Sequence, residues 1–98
     1  MAAYFMASYR ITDPKGYEAY VPAVIPTLIA HECDVLVADY ASQAIEGEPN
    51  AITVILKFAS KAAAMAWYNS PEYQAIKHHR IDNSDGTAVL LDQWTPPS

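Results

Sequence analysis

The chain has 98 residues, enough for one small domain and too few for a second core. It is 52% hydrophobic and 17% charged with a net charge of −5, which excludes intrinsic disorder and disfavours nucleic acid and anionic membrane surfaces as partners. The six Lys and Arg residues are scattered, and the longest apolar run, Ala62 to Tyr68, is far too short to span a bilayer.

Tyr4 to Ile11 alternates with period two and reads as a strand, with Phe5, Ala7, Tyr9 and Ile11 on an apolar face and Tyr4, Met6, Ser8 and Arg10 on a mixed one. Thr12-Asp13-Pro14 opens a helix: Asp13 suits the N-cap and Pro14 the first turn. Tyr17, Tyr20, Val21, Val24 and Leu28 follow at helical spacing. Pro22 and Pro26 each remove a donor and crowd the carbonyl four residues back, so a kink or split near Val21 is expected, with the end at Ala30 to Glu32. Asp34 to Tyr40 is the second strand, with Val35, Val37 and Asp39 on one face and Leu36, Ala38 and Tyr40 on the other. The acidic loop Glu46-Gly47-Glu48-Pro49-Asn50 follows.

Ala51 to Phe58 has one wholly apolar face and one half-apolar face, the pattern of a central strand. Ser60 caps the next helix, which runs through Trp67, and Ser70-Pro71-Glu72 restarts it towards Tyr73, Ile76, Lys77 and Arg80. Asn83 to Gly86 reads as a turn, Thr87 to Trp94 as the last strand, and Pro96-Pro97-Ser98 as a frayed tail.

The order β-α-β-β-α-β predicts a single α+β domain over residues 1–98, a ferredoxin-like sandwich with a four-stranded antiparallel sheet and its helices on one face. The other face would expose Met6, Ile55, Val35, Val37 and Leu91, a patch that marks an interface, so a homodimer through the sheet face is expected.

Ala66-Trp67-Tyr68-Asn69-Ser70-Pro71-Glu72-Tyr73-Gln74, followed by Arg80, resembles the hallmark of the DUF1330 family of small bacterial proteins. Thr12-Asp13-Pro14 with Tyr17 and Tyr20, Glu46-Gly47 and Phe58-Ala59-Ser60 fall at matching places, so the resemblance covers nearly the whole chain. It implies the dimeric α/β-barrel superfamily, in which two sheets close around a shared interior, and it implies no particular activity. Three places depart from the family pattern: His31-Glu32-Cys33 stands for Tyr-Gly-Gly, Ala38-Asp39 for Arg-Gly, and Asp92-Gln93 for Glu-Gly.

Several side chains bear on chemistry. His31-Glu32-Cys33-Asp34 lacks metal-ligand spacing and reads as a solvated turn, and the acids flanking Cys33 argue against a nucleophile. His78-His79 near a helix end complements the helix dipole; a haem role would need one of them facing an apolar pocket. No metal or cofactor is therefore expected. Trp67, Tyr68 and Tyr73 suit a core first and a pocket wall second.

Arg80 with Tyr20 beside it suits a small organic anion, against the plainer reading of an ion pair with Glu72, Asp82 or Glu18. Arg10, with Asp39 and Asp92 as partners across the sheet, would sit where a dimer barrel has its lumen. Two functions stay open: a cofactor-free enzyme working by proton transfer on a small molecule, or a non-catalytic ligand-binding or regulatory dimer. The opening residues lack a secretion-signal pattern and the lone Cys33 has no internal disulfide partner, so the cytoplasm is the expected compartment.

Overall fold

Alternation near the N-terminus becomes strand β1 (Ala3–Ile11), with Ala3, Phe5, Ala7 and Tyr9 buried under the helices and Tyr4, Met6 and Ser8 half-buried on the opposite face. The computed structural model describes residues 1–97. The other strands are β2 (Asp34–Asp39), β3 (Ile52–Phe58) and β4 (Ser84–Asp92). They form one antiparallel sheet in the order β2-β3-β1-β4, the ferredoxin-like topology. β3 is internal, as its two-sided apolar pattern requires.

The helices begin where short polar side chains satisfy free backbone N–H groups. Asp13 Oδ1 accepts from Lys15 and Gly16 N–H, both at 3.2 Å, to open α1 (Pro14–Tyr17). Ser60 Oγ accepts from Ala63 N–H at α3 (Lys61–Tyr68), and Ser70 Oγ from Tyr73 N–H at α4 (Pro71–Ile76). The split in the first helical region falls at Glu18–Ala19, earlier than Val21, before α2 (Tyr20–Ala30). The Pro22 ring obstructs the carbonyl four residues back, at Glu18, while its missing N–H costs little in the first turn of α2. α2 ends in a Schellman turn: Cys33 N–H donates to Leu28 O at 3.0 Å and Glu32 N–H to Ile29 O at 3.2 Å. Glu32 adopts φ +54°, a conformation that glycine takes without strain.

Three expectations need correction. A bulge at Leu36 pairs Val35 with Leu56 and Val37 with Ile55, so Val35 turns to the helix-covered side while Val37 stays on the open face. The helix expected to run on through Arg80 divides after Ile76, and Arg80 lies in a separate turn, α5 (His78–Ile81). β4 starts at Ser84, so residues 84–86 are strand and not turn. Gly86 pairs with Tyr9, and a Cβ there would collide with the Tyr9 and Ser8 backbone. Residues 93–97 carry no helix or strand, and of the expected tail Ser98 lies outside the described residues.

The core centres on Trp67, Tyr73 and Phe58, all fully buried. Trp67 meets Phe5 edge-on at 5.3 Å between centroids and Tyr73 at 4.2 Å. Its Nε1–H donates to Thr27 Oγ1 at 3.0 Å, and Thr27 in turn donates to Val24 O at 2.7 Å. That chain satisfies every polar atom the aromatic cluster carries into the α2–α3 interface.

Candidate functional site

α3 packs on β1, β3 and β4, whereas α2 leans mainly on α4 and stands off the sheet towards the β2 edge. The floor below α2 is a registered row of small residues, Ala7–Val54–Ala38, beside the larger row Phe5–Leu56–Val35. Small side chains under a helix held away from the sheet leave a cavity of about 220 Å³. Val21, Val24, Ile25 and Leu28 of α2 form its roof, and Tyr20, Tyr40 and Arg80 border a surface that is almost wholly apolar. The exposed members Val21, Ile25, Val35 and Tyr40 place its rim between α2 and the β2 edge.

Arg80 is only 8% exposed. Its Nη2 donates to Tyr73 Oη at 3.3 Å, and Tyr73 Oη shares a 2.8 Å hydrogen bond with Tyr20 Oη. The guanidinium carbon lies 5.9 Å from both the Tyr9 and Tyr20 ring centroids, at the outer range of a cation–π contact. Nε is enclosed with no hydrogen-bond partner among the described residues, and no carboxylate pairs with this cation there. A second chain of hydroxyls runs Tyr9–Tyr17 at 2.6 Å and Tyr17–Tyr40 at 3.0 Å.

Burial penalises the phenolate forms of Tyr9, Tyr17 and Tyr20. It raises Tyr9 to about 12, and it raises Tyr17 and Tyr20 further, where neighbouring hydroxyls add to the effect. Burial works against the Arg80 charge and the Tyr73 and Tyr20 oxygens favour it, so the guanidinium keeps its proton. Near neutral pH the site therefore holds a fixed cation among neutral phenols.

The structure brings Tyr20 and Arg80 together at one cavity, while the anticipated ion pair of Arg80 with Glu72, Asp82 or Glu18 does not form. The other candidates lie elsewhere. Trp67 is sealed in the core. Tyr68 is half-buried beside a smaller cavity of about 160 Å³ between α3 and β4, with the Lys77 ammonium 5.0 Å over its ring. Arg10 pairs with Asp85 at 3.0 Å on the surface, both side chains 66% exposed. The trio of Arg10, Asp39 and Asp92 does not assemble, because β2 lies beyond β3 from Arg10 and Asp92 pairs with Ala3 at the far end of β1. Asp39 Oδ1 accepts from Ala41 N–H at 2.8 Å, and Asp92 pairs with Lys61 at 3.4 Å. The cavity thus lies on the helix-covered side of the sheet and not on the Arg10 face.

Among the described residues no three His, Cys, Asp or Glu side chains converge as a metal site. Burial, then the neighbouring Asp34 charge, pushes Cys33 up to about 11, which leaves its thiol protonated and weakly reactive. The His78 and His79 rings pack on each other at 4.0 Å, and neither lines the cavity. Sequence reasoning missed the hydroxyl roles of Tyr9, Tyr17 and Tyr40, and it gave Tyr73 a pocket wall where its hydroxyl joins Tyr20 to Arg80. Their signal was present: Tyr9 and Tyr17 lie on the faces expected to be buried, and a buried hydroxyl needs a partner.

The sequence matches the family described as Domain of unknown function (DUF1330) over residues 2–94. Among solved structures, the chain resembles the protein of unknown function RPA0582 from Rhodopseudomonas palustris, at 17% identity and TM-score 0.77 over 97% of this chain and 84% of that one. It also resembles SnoaB, a cofactor-independent oxygenase from Streptomyces nogalater, at 10% identity and TM-score 0.65 over 97% and 95%. A putative antibiotic biosynthesis monooxygenase from Bacteroides thetaiotaomicron follows at 29% identity and TM-score 0.56 over 96% and 89%. These likenesses place the fold in the dimeric α/β-barrel superfamily. No curated protein matches the chain in sequence.

Proposed function

We propose that this chain, which belongs to the DUF1330 family, binds a small organic molecule in the cavity beneath α2, with Arg80 and Tyr20 at the polar end. One observation carries the reading: a buried guanidinium without a carboxylate borders an otherwise apolar cavity. An isolated buried charge is costly, and one hydrogen bond to Tyr73 and two long cation–π contacts are what the fold gains from this one. An apolar cavity of this volume next to a few convergent polar groups is the usual form of a ligand site.

Binding is favoured over conversion by proton transfer to the protein. No Asp, Glu or His lines the cavity among the described residues, and the raised tyrosines are poor bases near neutral pH. The likeness in fold to a cofactor-independent oxygenase supports the second reading, conversion without a cofactor, in which the reactivity would have to reside in the ligand itself. Amide chemical shifts of labelled protein titrated with a fragment library test the binding reading. Perturbations should cluster at Ala7, Ala38 and Val54 and vanish in Ala38→Phe, which fills the floor. Perturbations confined to other surfaces would remove the cavity from consideration.

The open sheet face supports a homodimer as the form in which this cavity works. Val37, Val89 and Leu91 are 36%, 42% and 43% exposed there, around half-buried Met6 and Ile55. Sedimentation velocity at micromolar concentration should give the mass of two chains, and a monomer would refute the dimer.

A further inference from the structure

We infer that the ligand of the α2 cavity is an apolar monocarboxylate of about nine heavy atoms in all, its carboxylate on Arg80 and its body over the Ala7–Val54–Ala38 row. The inference rests on the binding reading above and adds charge, valence and size to it.

The charge follows from the unsatisfied cation. A guanidinium offers five N–H donors in a planar fork, and hydrogen bonding within the chain uses one Arg80 nitrogen, Nη2 to Tyr73. Arg80 is more than nine-tenths buried, lines the cavity, and has no acid beside it among the described residues. A planar carboxylate matches the fork and supplies the missing countercharge in a setting where water competes weakly. Tyr20, already bonded to Tyr73, holds its own oxygen at the same end of the cavity and is held neutral, so it adds no competing negative charge.

The valence follows from the rest of the lining. Among the described residues Arg80 is the one charged side chain that borders the cavity, and the whole chain carries a net charge of −5. A second carboxylate on the ligand would be buried among Val24, Leu28 and Leu56 with no cation to meet it. The size follows from volume. A dry cavity of ~150 Å³ accepts benzene, with six heavy atoms, so about 220 Å³ accommodates about nine, the size of benzoate with its carboxylate included.

The test uses purified full-length protein and three probes: benzoate, its neutral isostere benzamide, and the dicarboxylate glutarate. Titration calorimetry should show the carboxylate binding at least about tenfold more tightly than the amide, with glutarate weaker than the monocarboxylate. In Arg80→Met the preference for carboxylate over amide should disappear, and in Arg80→Lys it should shrink, because an ammonium lacks the fork. Circular dichroism melts establish that each variant is folded before titration. Equal binding of carboxylate and amide to the unmodified protein, or a preference that survives Arg80→Met, would overturn the inference and leave the cavity reading standing. Failure of all three probes to bind would overturn the inference. If Ala38→Phe also left fragment binding unchanged, the cavity reading would fall with it.

Discussion

Replacing Arg80 by Met separates a structural arginine from one held for a ligand, because the two roles predict opposite changes in stability. The variant loses the charge-assisted hydrogen bond from Nη2 to Tyr73, roughly 1.5–3 kcal/mol. It also loses two long cation–π contacts at 5.9 Å, about 0.5 kcal/mol each at that range. Against these stands the desolvation of a buried charge with no countercharge, several kcal/mol, and replacing even paired buried ions by apolar isosteres stabilises proteins by about 1–4 kcal/mol. No new orphan appears, since Tyr73 and Tyr20 remain bonded to each other, and the contacts of Arg80 N–H with Lys77 O and of Arg80 O with Ser84 Oγ belong to the backbone. The expected result is a gain of about 1–2 kcal/mol, a rise in Tm of roughly 5–15 °C for a domain of this size, with carboxylate selectivity lost. Urea and thermal melts followed by far-UV circular dichroism measure it in ligand-free protein. A loss of more than about 1 kcal/mol would show that Arg80 holds the fold together, and the argument for a reserved cation would fail.

Trp67→Ala should cost about 3–5 kcal/mol, since it empties the centre of the aromatic cluster and removes the donor to Thr27; urea melts within about 1 kcal/mol of the parent would show that Trp67 is not core. Glu32→Gly should stabilise by roughly 1 kcal/mol by relieving the left-handed residue at the end of α2, and an unchanged or lowered urea midpoint would contradict that. Alkaline pH should destabilise the fold. Tyr9 keeps its proton to about 12 when folded but ionises near 10 when unfolded, so its contribution is complete below pH 10 and lost as the pH rises to about 12. That shift corresponds to about 3 kcal/mol, and Tyr17 and Tyr20 act in the same direction. A urea midpoint that stayed level from about pH 9 to 11.5 would refute the burial of these hydroxyls.

Much of the architecture was legible because its causes are local. A cap acts over three residues, a proline over four, and strand alternation over two, so Asp13, Ser60, Ser70-Pro71 and the apolar face of β3 announce their elements without tertiary information. The identity of Tyr20 and Arg80 as a pair was legible for a weaker reason: both fall within segments resembling one family. What surrounds them was not legible. Leu36 bulges out of β2 and turns Val35 towards the cavity, a reversal that no alternation pattern records. Arg10 meets Asp85 and not Asp39 because strand order, a property of the whole sheet, sets which carboxylate lies across from it. The cavity exists because α2 stands off a floor of small residues drawn from three strands, and Arg80 lacks an acid because the described residues bring none to that place. Hydrogen bonds, ion pairs and empty space are relations between segments far apart in sequence. Each depends on a register and a packing distance that emerge only when the layers close on one another.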